Sequence, residues 1–526
     1  MNNKSVLLAV FGFLMIPVTI MLGQWSATDP AMAMSVGGGV IVLVVMLVMG
    51  RNAWLLIPLF YAFSSPVTAL PGSFALRDIV TGIVFLFMGT RWLVSKYHLE
   101  FRFGPLELML LIQYIFVVQV YIRNPAGFAL FGSAMVGGRP YFEIVVSAVL
   151  FMMLSTQAVS FQNCSKASNF FILGGLGAAF IEMLSVLIPG VGYRIAHFYR
   201  VSGVGQVVGA LNAEAGLGKA NQFSTGRRVY LFWLVKPLFT WLVSKSRPIH
   251  LLNPMRPLMV LGLIIVVAAA LLSGFRSLIV WVGMMYLASA YVHRKGVDVL
   301  VALGAGLLML AVLAGGNRQF FELPMSVQRA LSFLPGKWDS LAKSEAEASN
   351  QWRFDMWETV LTSPDYIENK ILGDGYGLSA DDFSFQQTVQ MAPVVSDEMM
   401  QEHFMRSGDY HSGPIQTINR VGYIGLFFLV IAFFVFTKYT LSLFRRSRGT
   451  PFFFSTLIVG LPMVVYPFFF TLIIGGHAQA LMMFAFHGGM LRMIENSMDY
   501  EDQMASENAS EDSMSGPEAV PTSLRS

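Results

Sequence analysis

The chain has 526 residues, of which 55% are hydrophobic and only 13% charged, with a formal net charge of +4 and a mean hydropathy of +0.61. Soluble domains carry about a quarter charged residues, so the main solvent expected here is lipid rather than water. The basic residues are scattered through short segments between apolar runs rather than gathered in one stripe, which argues against nucleic acid as a partner. A single cysteine, Cys164, excludes an intramolecular disulfide and any cysteine-rich metal site.

Apolar runs recur along most of the chain, and about twenty such residues carry a helix across a hydrocarbon core roughly 30 Å thick. Closed barrels give shorter, alternating segments. The expected fold is therefore all-α, a polytopic membrane protein of about 12–14 transmembrane helices. The first span is expected near residues 5–22 as an uncleaved helix, because the stretch is too long for a signal-peptide core and no small-x-small site follows it. Further spans are expected near 35–50, 53–68, 75–92, 105–122, 141–158 and 168–190, and then near 229–243, 257–273, 276–292, 297–315, 418–437, 451–473 and 478–494.

Charge sets the expected orientation. Arg91, Lys96 and Arg102, then Lys245, Arg247 and Arg256, then Arg294 and Lys295, then Lys438, Arg445, Arg446 and Arg448 all fall on one side of the alternating spans. The positive-inside rule makes that side cytoplasmic, together with both termini. Arg123, Arg139, Arg194, Arg200, Arg227 and Arg228 land on the other side, either as tolerated exceptions or as contacts for an anionic ligand.

Four regions follow: a first membrane part over 1–315, a large extracytoplasmic loop over 316–417, the last membrane helices over 418–494, and a polar tail over 495–526 that reads as a disordered cytoplasmic extension. The loop is too long for a plain connector. Apolar residues at helical spacing predict short amphipathic helices over 325–334 and 351–361, and Ser379 with Asp382 resembles a capping box that opens a third.

Four places could carry chemistry. Ser273, Gly274, Phe275 and Arg276 form a tight hairpin that puts a guanidinium near the outer membrane surface, either snorkelling to headgroups or presenting paired donors to a phosphate. Arg353 and Trp357 share one face of the loop helix. Leu372, Gly373, Asp374, Gly375, Tyr376 and Gly377 read as a glycine turn that brings backbone amides close to something, without the lysine of a nucleotide-binding loop. His411 stands directly before the next span. An imidazole is well matched to take a proton from a sugar hydroxyl near neutral pH, whereas a lone histidine at a membrane edge is commonly structural. No second histidine or cysteine stands at metal-ligand spacing to it, so no metal site is expected.

In order, the hairpin Ser273, Gly274 and Arg276, the loop pair Arg353 and Trp357 with its glycine turn, and His411, Ser412 and Pro414 before Gly422, Gly425 and Leu426 resemble the O-antigen ligase and polysaccharide polymerase superfamily. Arg200, Val201, Ser202 and Gly203, with Leu211, Asn212, Ala213 and Glu214 downstream, resemble that family's earlier extracytoplasmic motif. The resemblance implies a C-type, metal-independent membrane glycosyltransferase without a cofactor. It would move a glycan from an undecaprenyl-pyrophosphate carrier to an acceptor glycan or lipid, in the biosynthesis of O-antigen or exopolysaccharide at the bacterial cytoplasmic membrane, with its active site facing outside. It implies Arg276 and Arg353 as pyrophosphate binders, His411 as the catalytic residue acting on the acceptor, and Arg200, Asn212 and Glu214 as further substrate contacts. Ser412 stands where the family often has Asn, and the stretch from Asp381 to Arg406 is longer than usual. The alternatives are a transporter or flippase of a lipid-linked sugar and a structural subunit of an export complex.

Overall fold

The structure is a computed structural model that describes residues 30–67, 74–95, 101–127, 136–196, 198–201, 228–293, 296–391, 396–472 and 475–514. Among these residues the chain is helical throughout, and its extended pairings are isolated bridges such as Val67 with Tyr199 and Val136 with Leu378. The span expected near 5–22 lies outside the described residues.

Helix α1 (Pro30–Met49) runs through a 3-10 turn (Gly50–Leu55) into the short α2 (Leu56–Phe60). The two spans expected near 35–50 and 53–68 are thus corrected to one apolar run, Gly37–Phe60. Gly50 adopts φ +56 at the junction, and the chain turns extended after Phe60 because Pro66 and Val67 pair with Ala75 and Tyr199. There follow α3 (Leu76–Ser95), α4 (Pro105–Arg123), α5 (Arg139–Ser155), α6 (Phe161–Leu187), the short α7 (Pro189–Ala196), α8 (Val229–Lys245), α9 (Pro257–Leu272), α10 (Arg276–Val292) and α11 (Gly296–Gly316). The loop region holds α12 (Met325–Leu331), α13 (Ser340–Thr362), α14 (Ala380–Met391) and α15 (Asp397–Ser407). The chain closes with α16 (Gly413–Ser447), α17 (Phe453–Leu472) and α18 (His477–Met514).

Among the described residues six helical segments are long and apolar enough to cross a bilayer: Gly37–Phe60, Pro105–Arg123, Phe161–Leu187, Gly296–Gly316, Gly413–Ser447 and Phe453–Thr471. Helices α9 and α10 are apolar but shorter, at 16 and 17 residues. The other expected spans coincide with helices α3, α5, α8 and α18, which are shorter or more charged. Leu258, Leu261 and Ile264 on α9 and Leu300, Leu307 and Leu308 on α11 are exposed. Contiguous apolar faces of this kind are rare on water-soluble monomers, and a lipid solvent accounts for them.

The bundle interior is built from α5, α16, α17 and α18, with Phe436, Phe470, Phe484 and Phe486 fully or almost fully buried. One polar lock crosses it. Glu107 in the first turn of α4 accepts from the Gly104 amide at 2.8 Å and from Arg492 of α18 at 2.7 and 2.9 Å. Removing either partner of such a buried pair strands a charge at a cost of about 3–5 kcal/mol.

The tail expected to be disordered from 495 onward is corrected as far as Met514: α18 continues through it. Its acidic residues are tied to neighbouring elements rather than to water alone. Asp499 pairs with Arg102 and Arg446, Asp502 with Arg446, and Glu501 accepts from the Phe161 amide at 3.0 Å.

The loop helices start where local chemistry dictates. The Asp339 carboxylate caps α13 by accepting from the Leu341 amide at 2.9 Å. Ser379 caps α14: Asp382 N–H donates to its hydroxyl at 3.1 Å, which is one half of the expected box, and the Asp382 carboxylate accepts from that hydroxyl at 2.6 Å rather than from the Ser379 amide. Ser396 caps α15, and Gly408 ends it in the left-handed region at φ +72. A separate apolar cluster, Met356, Val360, Ile367, Met405, Tyr410, Ile415 and Ile418, fixes α13, α15 and the start of α16 to one another.

Candidate functional site

Helix α13 organises the site. Ala346, Asn350, Arg353 and Trp357 are spaced four, three and four residues apart and so lie along one face. Arg276, the first residue of α10, reaches this face from the membrane part: its Nη2 donates to the Ala346 carbonyl at 3.1 Å and its Nη1 to Asn350 Oδ1 at 3.4 Å. The hairpin that aims it takes the expected form. Gly274 has φ +73, the buried Ser273 accepts from the Phe275 amide at 3.2 Å, and the Ser273 carbonyl takes the Arg228 amide at 3.0 Å.

Arg353 comes one turn after the residues that hold Arg276. Its Nε is buried and has no hydrogen-bond partner among the described residues. Burial, followed by the charges of Arg276 and Arg329, holds its pKa below the ordinary arginine value. The three guanidiniums therefore share one electrostatic field. Arg329, on α12, is almost fully buried, with its Nη1 3.3 Å from Glu345 Oε2, an ion pair without hydrogen-bond alignment. Among the described residues Glu345 is the only carboxylate paired with the three, which leaves an excess of positive charge.

One turn beyond Arg353, the Trp357 indole donates to the Tyr410 carbonyl at 2.7 Å and so positions the residue after it, His411. The imidazole lies against Phe404 (ring centroids 4.8 Å) and Trp352 (5.8 Å), with Nδ1 3.9 Å from the Asp409 carboxylate. His411 holds φ +49, a left-handed backbone unusual for a non-glycine residue. Such conformations cost of order 1 kcal/mol and persist only where the surroundings impose them. Here the imposing groups are the buried Tyr410 ring on one side and the helix start at Gly413 on the other. From the Arg276 contacts to Trp357 the site spans 12 residues of α13, about 16 Å.

The structure thus brings Arg276, Arg353 and His411 to one helix. Arg200 lies elsewhere, beside the connection between α2 and α3, where its amide donates to the Pro66 carbonyl at 2.9 Å. Asn212 and Glu214 lie outside the described residues. Arg329 was not anticipated from the sequence. The sequence offers only a lone arginine in an amphipathic helix; that residues 326–331 are all buried is a property of the fold.

The glycine turn has a different job from ligand binding. Asp374 N–H donates to the Asn419 carbonyl at 2.7 Å, Gly375 N–H to the Arg420 carbonyl at 3.2 Å, and Tyr423 N–H to the Lys370 carbonyl at 2.8 Å. These bonds seat the turn against a break in α16 at Gly422, which has φ +74. A Cβ on Gly422 would sit 2.0 Å from the Ile371 carbonyl oxygen, and one on Gly373 would sit 2.5 Å from the Val421 nitrogen, so only glycine fits at either face of this contact. Arg123 donates to the Gly373 carbonyl at 2.6 Å and Arg420 to those of Gly375 and Ser407 at 2.9 and 2.7 Å.

Chemically, a field of clustered guanidiniums suits a phosphate or diphosphate, whose oxygens accept charge-assisted hydrogen bonds, and the adjacent imidazole suits proton transfer. No protein-family model matches the chain, and no curated protein matches it in sequence.

Proposed function

We propose that the chain is a metal-independent membrane glycosyltransferase that transfers or polymerises undecaprenyl-pyrophosphate-linked glycan units on the extracytoplasmic side of a bacterial cytoplasmic membrane. The observation that carries this reading is the placement of Arg276, Arg353 and His411 along three turns of one helix, with more positive charge than the neighbouring carboxylate balances. The ordered motifs described above support the same reading.

In the proposed reaction the acceptor hydroxyl attacks the anomeric carbon of the donor glycan while His411 takes the hydroxyl proton. The bond from that carbon to the pyrophosphate oxygen breaks, and the carrier pyrophosphate leaves with the bonding pair. Arg276 and Arg353 stabilise the charge that develops on it, where fixed cations act most strongly because water is partly excluded. The indole of Trp357 and the ring of Phe404 hold the histidine in place.

The test is substitution in the native host, with surface glycan length and attachment as the readout. Both His411→Ala and Arg353→Ala are expected to abolish the transferred or polymerised glycan while the protein remains inserted, and lipid-linked units accumulate on the outer face. Normal glycans in a stably inserted His411→Ala variant overturn the assignment. Accumulation on the inner face in both variants favours a transporter instead. His411→Gly separates catalysis from folding, since glycine relieves the left-handed backbone: the variant is expected to be at least as heat-stable as the parent and equally inactive.

A further inference from the structure

A second basic site lies at the other end of the bundle. Helix α10 begins at Arg276 in the candidate site and ends beside His293, a run of 17 residues, or about 25 Å. His293 lines a cavity of about 670 Å³ whose wall also carries Lys245, Arg247, His250, Arg256 and Ser244. These residues come from the end of α8, the connection to α9 and the end of α10, and the turn between α16 and α17 closes the far side.

The charge balance of this wall is one-sided. Among the described residues three cations and two imidazoles line it, and no carboxylate does. Among the described residues the nearest acidic partner is Asp298, whose Oδ1 lies 3.9 Å from Arg247 Nη2, too far for a hydrogen bond. The buried Arg247 Nε and Ser244 Oγ have no hydrogen-bond partner there. Burial, and then Arg256 and Arg247, hold the His250 imidazole below its ordinary pKa, with Asp298 opposing them. Lys245 and Arg256 are exposed at the rim, and Lys245 Nζ stands 5.5 Å from the Phe454 ring centroid. Unpaired buried donors beside uncompensated cations are costly unless an anion supplies acceptors.

We infer that this cavity binds the phosphate group of an anionic ligand, through Lys245, Arg247 and Arg256 with Ser244 as a hydroxyl donor. The volume is far larger than a phosphate ion and two walls are aromatic, Trp241 and Phe454, so the phosphate is one end of a larger molecule. Two sources share that chemistry. One is the headgroup of an anionic phospholipid entering between helices, a use that basic pockets at membrane-helix ends commonly serve. The other is a soluble phosphorylated compound. The site is independent of the glycosyl-transfer reading, because it shares no side chain with the α13 face.

The experiment uses the full chain purified in neutral detergent, with native mass spectrometry as the readout. Phosphatidylglycerol and phosphatidylcholine of matched acyl chains are offered together, and inorganic pyrophosphate is offered in a separate arm. The lipid source predicts selective retention of phosphatidylglycerol, weakened about five-fold by Lys245→Ala or Arg256→Ala, the factor expected for one basic side chain near an anionic lipid. Arg256→Lys should retain it, and Arg353→Ala at the opposite end should leave it unchanged. The soluble source predicts equal lipid retention but pyrophosphate adducts of which Arg256→Ala and Arg353→Ala each remove only the share bound at their own end. Retention of both probes that is insensitive to Lys245 and Arg256 overturns the inference. Because both side chains are exposed, their substitution leaves the core packing intact.

Discussion

Two sets of arginines sit at the same end of this molecule, and they differ in what their guanidiniums touch. Arg123, Arg139 and Arg420 are satisfied from within: Arg123 and Arg420 by backbone carbonyls of the glycine turn and its neighbours, Arg139 by Glu143 one turn along at 2.8 Å. Arg276, Arg329 and Arg353 crowd one another: Arg276 is held by Ala346 and Asn350, and among the described residues the set has a single paired carboxylate and a buried Arg353 Nε without a hydrogen-bond partner. Residue type and side of the bundle are shared by the two sets. What separates them is crowding and compensation: the first set is spread over carbonyls and a carboxylate, whereas in the second Arg276 is held by α13 itself and the neighbouring guanidiniums leave positive charge and the buried Arg353 Nε for a ligand.

Substitutions test that division. The largest effect is expected in the crowded set: Arg353→Ala or Arg276→Ala should lower the rate of glycan transfer by about 10²–10³-fold, the loss typical of removing one charge-stabilising donor, with membrane protein levels unchanged. Arg420→Ala should do the opposite. It removes two charge-assisted bonds to the Gly375 and Ser407 carbonyls, so thermal unfolding should show about 2 kcal/mol of lost stability. If Arg420→Ala is stable and inactive, the division fails.

Gly373→Ala probes the scaffold alone. At φ +80 with backbone 2.5 Å from the added carbon, it should lower the melting temperature by an amount equivalent to at least about 1–2 kcal/mol. The smallest effect belongs to Glu345→Gln, which removes the counter-charge of Arg329 and keeps an acceptor beside it. The affinity for a diphosphate should then rise by about three-fold at low salt and return toward the parent value at high salt.

Much of the bundle is legible in the sequence because a transmembrane helix is a local statement: enough consecutive apolar residues, bounded by charge. The hairpin at Gly274 and the cap at Ser379 are local too, since φ +73 at a glycine and a hydroxyl three residues from a carboxylate are properties of short segments. The merger of two spans through Gly50 was hidden because a 3-10 turn has no hydropathy signature of its own. The helical continuation to Met514 was hidden because it depends on Arg102 and Arg446, which are remote in sequence.

The candidate site divides in the same way. Arg276, Arg353 and His411 were each recognisable, but their shared helix face emerges only from the contacts of Ala346, Asn350 and Trp357. Arg329 escaped notice because its burial is a tertiary property, and what the glycine turn brings its amides close to is the break at Gly422, a partner remote in sequence. The wrong-side arginines Arg123 and Arg139 looked equivalent to the site set in sequence, since hydrogen-bond satisfaction leaves no trace in composition.

The most direct test of this account is calorimetric titration of inorganic pyrophosphate into the purified full chain carrying Arg256→Ala, which silences the cavity at the opposite end. The account predicts saturable binding that Arg353→Ala and Arg276→Ala each weaken by about ten-fold or more, as the loss of a charge-assisted contact requires, and that Arg139→Ala leaves unchanged. Unaltered affinity in the Arg353→Ala protein would contradict it.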